Sequence, residues 1–519
     1  MYYLIPAFLL FLGAFILVRT FLFSHPPMPP EEGELPTVDR ERLVVGLGEA
    51  IRCETISRGD NQPPDAGALY KLHTGLQVRF PQTHARLKRE SIDDLNLLYT
   101  WEGSQPDLAP VLFTAHQDVV PIDPTQVDSW QQPPFSGVLV DDYVWGRGAL
   151  DTKSTLIALL EAVESLVSAG YQPQRTILLA FGYDEEVLGL KGARRIAGVL
   201  EERGIHPMLV LDEGGAVVEG VLPGFNGPVA MVGNVEKGYL DLLLTASGQD
   251  GHSSTPSKHS AIGALSRALI NLESHSMPAN LYFLEQTARS AGYMASFGTQ
   301  MIFANLWLFG RIVRRRLEAI PQTAAAIHTT TALTRIEGGF KDNVLPAQAR
   351  ALVNFRLFPG DSIADVCDHV RRAIHDDQVQ FEALPDLSWE ASPISQTDTL
   401  LFDQIRIAVQ KVFPDAAVAP YLVQGTTDAR HYTGLCGQVF RFSPYQITAD
   451  ELATIHGLNE RISVENLERM AQFYMLVMRT WGGAEESAPA DSEEIEVEDS
   501  TSAEAVSQKA ERQEADGES

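Results

Sequence analysis

Cysteine is scarce in this chain. Only three cysteines, Cys53, Cys367 and Cys436, occur among its 519 residues. A small and odd number of cysteines excludes a disulfide framework as the main source of stability. Cysteine chemistry therefore gives no lead to function, and the count leaves the redox compartment open.

Positive charge is also scarce. The chain has 40 Lys and Arg against 68 Asp and Glu, a net charge of −28. Because nucleic-acid binding is dominated by contacts to phosphates, this balance excludes a nucleic-acid partner. Much of the excess lies in residues 484–519, which contain 13 acidic residues, two basic residues and no aromatic residue. Such a composition cannot bury a core and predicts a disordered acidic tail.

Long apolar runs are confined to the amino terminus. Residues 2–18 carry no charge, and an apolar triplet, Phe21–Phe23, follows Arg19 and Thr20. This length approaches the roughly 20 residues that a spanning helix needs. We predict a transmembrane anchor over residues 1–23 and an extended linker over 24–39. A cleaved signal peptide is the alternative, although the start lacks the basic residues of a signal peptide and no small-residue cleavage site follows.

Residues 40–237 alternate short apolar runs with helical patterns. Strand-like runs that are followed by helices predict an α/β catalytic domain with a mainly parallel sheet and helices on both faces. The same pattern resumes over residues 391–483. The apolar runs that carry this prediction are 110–115, 176–183 and 208–211, and the helical patterns between and after them are 154–169 and 189–203.

Residues 238–390 change to the order β-α-β-β-α-β. This order predicts a ferredoxin-like lid or dimerisation domain inserted into the catalytic domain. An extra insertion, residues 275–328, interrupts it. Within the insertion, the apolar run Met301–Phe309 precedes Arg311 and Arg314–Arg316. This combination suits a lipid interface or an acyl-chain site, and equally a core helix beneath the lid or a dimer contact.

Acidic and histidine residues follow several of the predicted strands. Parallel sheets bind ligands beyond the carboxyl ends of their strands, and His and carboxylate side chains are natural zinc ligands. Taken singly, each residue has an ordinary explanation, such as a turn or a helix amino terminus. The adjacent pair Glu185–Glu186 is more informative, because neighbouring carboxylates repel unless a cation or a shared proton compensates. Together the set has the composition of a two-metal hydrolytic centre: His116, Asp118, Asp151, Glu185, Glu186, Asp212 and His456.

From about residue 45 to 480 the chain resembles the zinc-dependent aminoacylase and carboxypeptidase superfamily. Its closest similarity is to the branch of carboxypeptidase S and the N-fatty-acyl-amino-acid synthase/hydrolase, supported by the segments at 303–310, 329–334, 343–346 and 427–432. The acidic tail has no counterpart in the family pattern. The motifs of the superfamily are Thr-Ala-His116-Gln-Asp118, Gly-Arg-Gly-Ala-Leu-Asp151-Thr-Lys, Asp-Glu185-Glu186-Val-Leu-Gly, Asp212-Glu-Gly-Gly and His456-Gly-Leu-Asn-Glu.

The resemblance implies a role for each of these residues. His116, Asp151 and Asp212 would hold one zinc ion, and Asp151, Glu186 and His456 would hold a second, with Asp151 bridging. Asp118 would orient His116, and Glu185 would act as the general base. Cobalt or manganese would fit the same ligands.

The lid supplies the expected substrate contacts. The resemblance implies that His252 stabilises an oxyanion, often in the site of a partner subunit, so we expect a homodimer through the lid. A histidine at a helix start capped by serines is the alternative. Asn343 and Arg356 are expected near the substrate, and Arg430 is expected to bind a free carboxylate. Arg356 and Arg430 also suit ordinary surface ion pairs.

The sequence therefore predicts a single-pass, membrane-anchored dizinc hydrolase with an extracytoplasmic catalytic domain. It would cleave N-acyl amino acids or C-terminal peptide bonds, and the same site permits the reverse condensation. The alternatives are a dipeptidase, a short-chain deacylase and, remotely, a non-catalytic binder of the same fold. The presence of every expected ligand and of the base argues against the last alternative.

Overall fold

A computed structural model describes residues 3–27, 33–59 and 62–483 of the chain. The predicted acidic tail, 484–519, and residues 28–32 of the predicted linker lie outside the described residues. The described helices are α1 Leu4–Phe21, α2 Arg40–Ile51, α3 Ala66–Arg79, α4 Pro81–Arg86, α5 Lys153–Ser168, α6 Ala193–Glu202, α7 Ala261–Ser274, α8 Tyr282–Ala291, α9 Phe297–Ala304, α10 Leu306–Glu318, α11 Pro321–Ala325, α12 Ile363–Ile374, α13 Leu400–Val412, α14 Ala449–Leu452 and α15 Val464–Gly482.

Two sheets account for most of the strands. The described strands are β1 Lys88–Ile92, β2 Asn96–Trp101, β3 Val111–His116, β4 Val138–Val140, β5 Tyr143–Trp145, β6 Ile177–Gly182, β7 Leu209–Asp212, β8 Val217–Glu219, β9 Val229–Glu236, β10 Gly238–Ser247, β11 Gly251–His252, β12 Thr330–Gly338, β13 Val344–Leu345, β14 Gln348–Leu357, β15 Val379–Trp389, β16 Ala417–Val423, β17 Val439–Arg441, β18 Gln446–Thr448 and β19 Arg461–Ser463. Short 3-10 turns occur at 127–129, 185–187, 292–294 and 428–432.

The larger sheet has the order β1-β2-β6-β3-β7-β17-β9-β8-β18, with β16 also paired to β9. Its centre, β6-β3-β7-β17, is parallel. Along β3, Val111 and Phe113 pack on one face with α5 and α15, whereas Leu112 packs on the other face with α6. This alternation follows from the two-residue period of a strand, and the nearly continuous apolar residues of β3 bury both faces. The predicted α/β fold with helices on both faces is confirmed.

The smaller sheet forms the lid. It has the antiparallel order β12-β14-β10-β15. Helices α7 and α12 cover one face, where Leu265 and Val366 pack against Leu242 and Val353 in a separate core. The predicted ferredoxin-like lid is therefore confirmed, while the exact domain boundaries at 238 and 391 stay predictions.

The insertion between α7 and β12 contains helices α8 to α11. It contacts α1 and the edge of the large sheet, and Met277 near its start is buried in the lid core. Phe23, just after α1, is buried against Ala288 of α8 and Ala304 of α9. In the described part of the chain, α1 is the one helix long and apolar enough to cross a membrane.

Candidate metal centre and active site

Acidic and histidine side chains converge at the carboxyl ends of β3, β6 and β7. His116 ends β3, Glu185 and Glu186 lie in the turn after β6, and Glu213 follows β7. Two sets of side chains each bring their ligand atoms within 4.8 Å of one another. They are His116, Glu185 and Glu213, and His116, Asp151 and Glu186.

Asp151 lies between two imidazoles. One of its carboxylate oxygens is 2.9 Å from Nε2 of His116, and the other is 3.0 Å from Nε2 of His456. His456 Nε2 is also 3.3 Å from Glu186. The loop before β19 thus brings His456 to residues from the amino-terminal half of the chain. A carboxylate that faces two separate donor groups has the geometry of a bridging ligand.

Asp118 organises the end of β3. Its carboxylate lies 3.3 Å from Nδ1 of His116 and accepts a 2.7 Å hydrogen bond from the hydroxyl of Ser57. It also accepts hydrogen bonds of 3.2 Å from the backbone N–H groups of Glu185 and Glu186. One carboxylate therefore fixes the His116 ring and the turn that carries both glutamates.

Glu213, rather than Asp212, reaches the cluster. Glu213 lies 3.2 Å from Nε2 of His116, whereas Asp212 accepts a hydrogen bond from the Thr114 hydroxyl of the neighbouring strand. Successive side chains of a strand point in opposite directions, so two adjacent acids at the end of β7 have different surroundings. That Asp212 completes the metal-ligand set stays a prediction, because its second carboxylate oxygen is buried without a hydrogen-bond partner among the described residues. The sequence contained the signal, because the motif presents both acids.

Glu460 is a functional residue that the sequence analysis did not single out. Its buried carboxylate accepts hydrogen bonds from the backbone N–H groups of Gly148, Leu150 and Asp151, at 2.8 to 3.1 Å. Arg147 Nη1 donates to the other oxygen at 2.5 Å. Glu460 therefore shapes the loop that presents Asp151. It is the last residue of the His456 motif, so its position in that motif was the available signal.

The cluster holds more negative charge than its protein partners compensate. Burial raises the pKa of Glu185 well above its ordinary range, and the nearby Glu213 and Asp428 raise it further. Burial and Asp151 raise the pKa of Glu213 to about 7. Within the described residues, Oε1 of Glu186 and Oδ2 of Asp212 have no hydrogen-bond partner. A cation relieves such crowding, and the convergent nitrogen and oxygen donors suit divalent zinc. The residues therefore fit a metal centre.

The predicted oxyanion residue lies elsewhere. His252 is exposed in β11, and its Nδ1 accepts hydrogen bonds from the backbone and hydroxyl of Ser254. Asn343 is exposed beside it, and its backbone oxygen accepts from the Ser253 N–H at 3.2 Å. The structure brings His252 and Asn343 together through the pairing of β11 with β13. Among the described residues, no contact joins either of them to His116 or Asp151.

Arg356 and Arg430 lie at the two ends of a stack. Arg356 lies over Tyr239 at 4.5 Å, Tyr239 stacks on Trp389 with ring centroids 4.8 Å apart, and Arg430 lies over Trp389 at 4.4 Å. Arg430 also donates to the backbone oxygen of Leu188. Neither arginine forms a surface ion pair among the described residues. The stack joins the lid strands to the turn at 428–432 of the catalytic domain.

A cavity of about 490 Å³ opens beside this stack. Arg194, Lys237 and Arg430 line it, together with Glu236 and Glu390. Both acids already have partners. Glu236 accepts from Arg441 at 2.9 Å, and Glu390 accepts from the N–H of Ile363. Burial, with Arg356 nearby, lowers the pKa of Lys237 to about 7. Because Arg441 already compensates Glu236, Arg194 and Arg430 outnumber the remaining acid of the cavity, Glu390.

Residues 112–480 match the peptidase family M20/M25/M40. The chain belongs to this family. It is 38% identical over 450 residues to "Probable carboxypeptidase S-like 2" of Dictyostelium discoideum, covering 86% of each chain. It is also 38% identical over 452 residues to N-fatty-acyl-amino acid synthase/hydrolase PM20D1 of Xenopus tropicalis, covering 86% of this chain and 87% of that protein.

The fold is shared with solved M20 structures. An M20 family metallo-carboxypeptidase from Sulfolobus solfataricus superposes with a TM-score of 0.63 at 16% identity, over 85% of this chain and 99% of that one. At this identity the likeness concerns the fold. Family membership and the relatives at 38% identity make this M20 protein a metal-dependent hydrolase of amide bonds, with a small-molecule or peptide substrate.

Proposed function

We propose that this M20 protein is a membrane-anchored dizinc hydrolase that cleaves the amide bond of N-acyl amino acids, or the C-terminal peptide bond of peptides, when the substrate has a free carboxylate. The observation that carries the proposal is the position of Asp151 between His116 and His456, with glutamates on both sides. This arrangement supports two metal sites that share one carboxylate.

The ligand assignment follows from the contacts. We assign His116, Asp151 and Glu213 to one ion, and Asp151, Glu186 and His456 to the other. Glu213 stands here in the place predicted for Asp212, because Glu213 lies 3.2 Å from Nε2 of His116, whereas one oxygen of Asp212 already accepts from Thr114. When bound, the two ions would supply Lewis-acid polarisation of the scissile carbonyl and activation of water. Nitrogen and oxygen donors also accept cobalt or manganese.

Glu185 is the proposed general base. Its carboxylate lies close to the imidazole of His116 and the carboxylate of Glu213, and its backbone N–H donates a hydrogen bond to Asp118. Glu185 takes one proton from the attacking water, and the water oxygen bonds to the carbonyl carbon. The same proton then passes to the leaving nitrogen as the carbon–nitrogen bond breaks, giving a carboxylic acid and an amine. Through its contacts with both residues, Asp118 keeps Glu185 and His116 in fixed positions during the reaction.

His252 and Asn343 are the proposed oxyanion group. Both are exposed on one lid strand pair, away from the ligands of their own chain. Exposed polar donors at this position suit a homodimer in which the lid of one protomer completes the site of the other. His252 would then donate to the developing oxyanion, which is most stabilising when the donor is held in advance. The hydroxyl of Ser254 fixes the His252 ring by its hydrogen bond to Nδ1.

The cavity between the lid and the catalytic domain is the proposed carboxylate site. Arg430 is held by Trp389 and by the Leu188 carbonyl, with its guanidinium at the cavity wall. Leu188 follows Glu185 and Glu186 in the same turn. A substrate carboxylate bound by Arg430 would therefore lie on the side of the cavity that faces these glutamates. Arg356 supports Tyr239 and Trp389 from the other end of the stack.

The relatives support the acyl class. One is named for both synthesis and hydrolysis of N-fatty-acyl amino acids, and another is named as carboxypeptidase S-like. We therefore place N-fatty-acyl amino acids first, with condensation as the reverse of the same reaction. The apolar α1 supports a single-pass anchor. The extracytoplasmic side for the catalytic domain is part of the proposal and does not follow from α1.

A substrate panel with controlled metal content tests the proposal. Purified full-length protein is assayed on long-chain N-acyl amino acids, short-chain N-acyl amino acids and dipeptides, before and after chelation. We expect hydrolysis of the long-chain substrates, loss of activity on chelation and recovery with zinc. Preference for dipeptides or short acyl chains would replace the long-chain assignment. Absence of hydrolysis in zinc-loaded protein would favour the non-catalytic binder.

A further inference from the structure

Helix α10 of the insertion has one exposed face, whereas Leu306, Phe309, Val313 and Leu317 on its opposite face are half-buried. None of its 13 residues, all of which the structure describes, is buried. Trp307 is 56% exposed and Ile312 is 62% exposed. Arg311, Arg314 and Arg315 follow Trp307 at spacings of four, seven and eight, which place all four side chains on one helical face. Soluble helices normally bury their apolar residues, so this face needs another partner.

The insertion is joined to α1 by specific contacts. Trp307 packs edge-on against Phe15 of α1, with ring centroids 6.1 Å apart, and Arg19 donates to the Ala304 backbone oxygen at 3.0 Å. Buried Asn305 donates to the hydroxyl of Thr20, which is itself buried. These polar contacts fix the α9–α10 corner beside the last turns of α1.

The level at which Trp307 packs beside α1 indicates how deep its side chain would lie in a membrane. Phe15, its partner, precedes the end of α1 at Phe21 by six residues, about 9 Å of helix axis. Amphipathic helices that lie in a membrane surface bury their apolar face by roughly 5–10 Å. If α1 ends at the membrane surface, Trp307 lies at that depth, where tryptophan is enriched.

The charge of α10 points to the type of surface. The helix carries four arginines and one glutamate, in a chain whose net charge is −28. A local basic cluster on an acidic protein is attracted to anionic lipid headgroups, whereas the rest of the protein is repelled.

We propose that the face formed by Trp307, Leu308, Arg311, Ile312, Arg314 and Arg315 docks onto an anionic lipid bilayer beside α1. This proposal rests on the anchoring role proposed above for α1. The face would hold the insertion, and with it the catalytic domain, against the membrane. Amphiphilic substrates concentrate at that surface, so docking would deliver them to the enzyme.

Quenching by brominated lipids tests the docking. Full-length protein is reconstituted into vesicles of phosphatidylcholine alone or of phosphatidylcholine and phosphatidylglycerol in equal amounts, with bromine near the headgroup end of the acyl chains. The fluorescence lost in Trp307→Phe isolates the Trp307 contribution among six tryptophans. We expect most of that contribution to be quenched in the anionic vesicles.

Charge variants supply the matched control. The triple variant Arg311→Gln, Arg314→Gln and Arg315→Gln should reduce the quenching of Trp307 in anionic vesicles to the level found in phosphatidylcholine. A control triple on the lid, Arg335→Gln, Arg350→Gln and Arg372→Gln, removes the same charge from other exposed positions. It should leave the quenching unchanged. Equal loss in both triples would overturn a specific docking face.

Extraction with alkaline carbonate separates this proposal from the anchor. Protein that resists extraction while Trp307 stays unquenched overturns the docking face and leaves the anchor standing. Protein that is extracted, yet binds anionic vesicles with Trp307 quenched, overturns the anchor and keeps the docking face. If Trp307 becomes protected from solvent as the protein concentration rises in the absence of lipid, the face binds a second copy of the chain. That result would overturn docking onto a bilayer.

Discussion

Asp212 and Glu213 are chain neighbours with different partners. Asp212 faces Thr114 across the sheet, whereas Glu213 faces His116. Which of these two adjacent acids can bind a metal beside His116 therefore depends on the direction in which each side chain points. A pattern of residue types does not contain that direction, which is fixed by the alternation of side chains along β7.

Substitution of each acid distinguishes the two assignments. Glu213→Gln should lower the metal content from about two ions per chain to about one, because it removes one carboxylate ligand. Asp212→Asn should keep both ions, since an amide oxygen still accepts the Thr114 hydrogen bond. Metal content is measured by elemental analysis after dialysis, with thermal unfolding as the check on folding. The reverse pattern would restore Asp212 as the ligand.

The base assignment has its own test. Glu185→Gln keeps the size of the side chain but cannot accept the proton, so kcat should fall by at least about a hundredfold while the metal content stays constant. Steady-state hydrolysis and elemental analysis are measured on the same preparation. Glu201→Gln, at an exposed position of α6, is the matched control. Activity within a few-fold of wild type in Glu185→Gln would exclude this role.

At the scale of single elements, the buried strands were predictable and the loop that presents Asp151 was not. Strands β3, β6 and β7 consist mainly of apolar residues, so their burial and their order with the helices follow from composition. The loop depends on Glu460, which is distant in sequence and acts through backbone hydrogen bonds. The motif His456-Gly-Leu-Asn-Glu contains Glu460, but its backbone partners carry no sequence signal, so its role in the loop is not predictable from the motif.

Loss of the Glu460 carboxylate should destabilise this loop. Glu460→Gln leaves buried Arg147 without its charge partner, and breaking a buried pair in this way costs about 3–5 kcal/mol. Glu285→Gln removes a partner of exposed Arg289 and should cost less than about 1 kcal/mol. Urea denaturation of both variants gives the comparison. Similar small shifts in the two variants would show that the Glu460 pair adds little stability.

At the scale of the whole molecule, the fold class and the lid were predictable, whereas the junction between lid and catalytic domain was not. Periodicity gave the order of strands and helices in each domain. The stack of Arg356, Tyr239, Trp389 and Arg430 joins segments that are distant in sequence, and no local pattern marks it. The packing of the insertion on α1 is another long-range contact of this kind.

The junction yields a prediction about substrate charge. Arg430→Ala should raise KM for a substrate with a free carboxylate by roughly ten- to a hundredfold, the value of one charge-assisted hydrogen bond. The carboxamide analogue of the same substrate should show little change, because it has no charge for Arg430 to bind. Initial rates on both substrates give the comparison. An equal loss on both would mean that Arg430 acts by holding the Leu188 turn.

Glu460 also affects when the enzyme becomes active during its own synthesis. The loop carrying Asp151 leaves the ribosome early, but its carboxylate support and His456 are made only after the whole lid has been translated. A nascent chain that stops within the lid has neither. Under the ligand set proposed above, catalysis therefore waits until the chain beyond the lid has been translated.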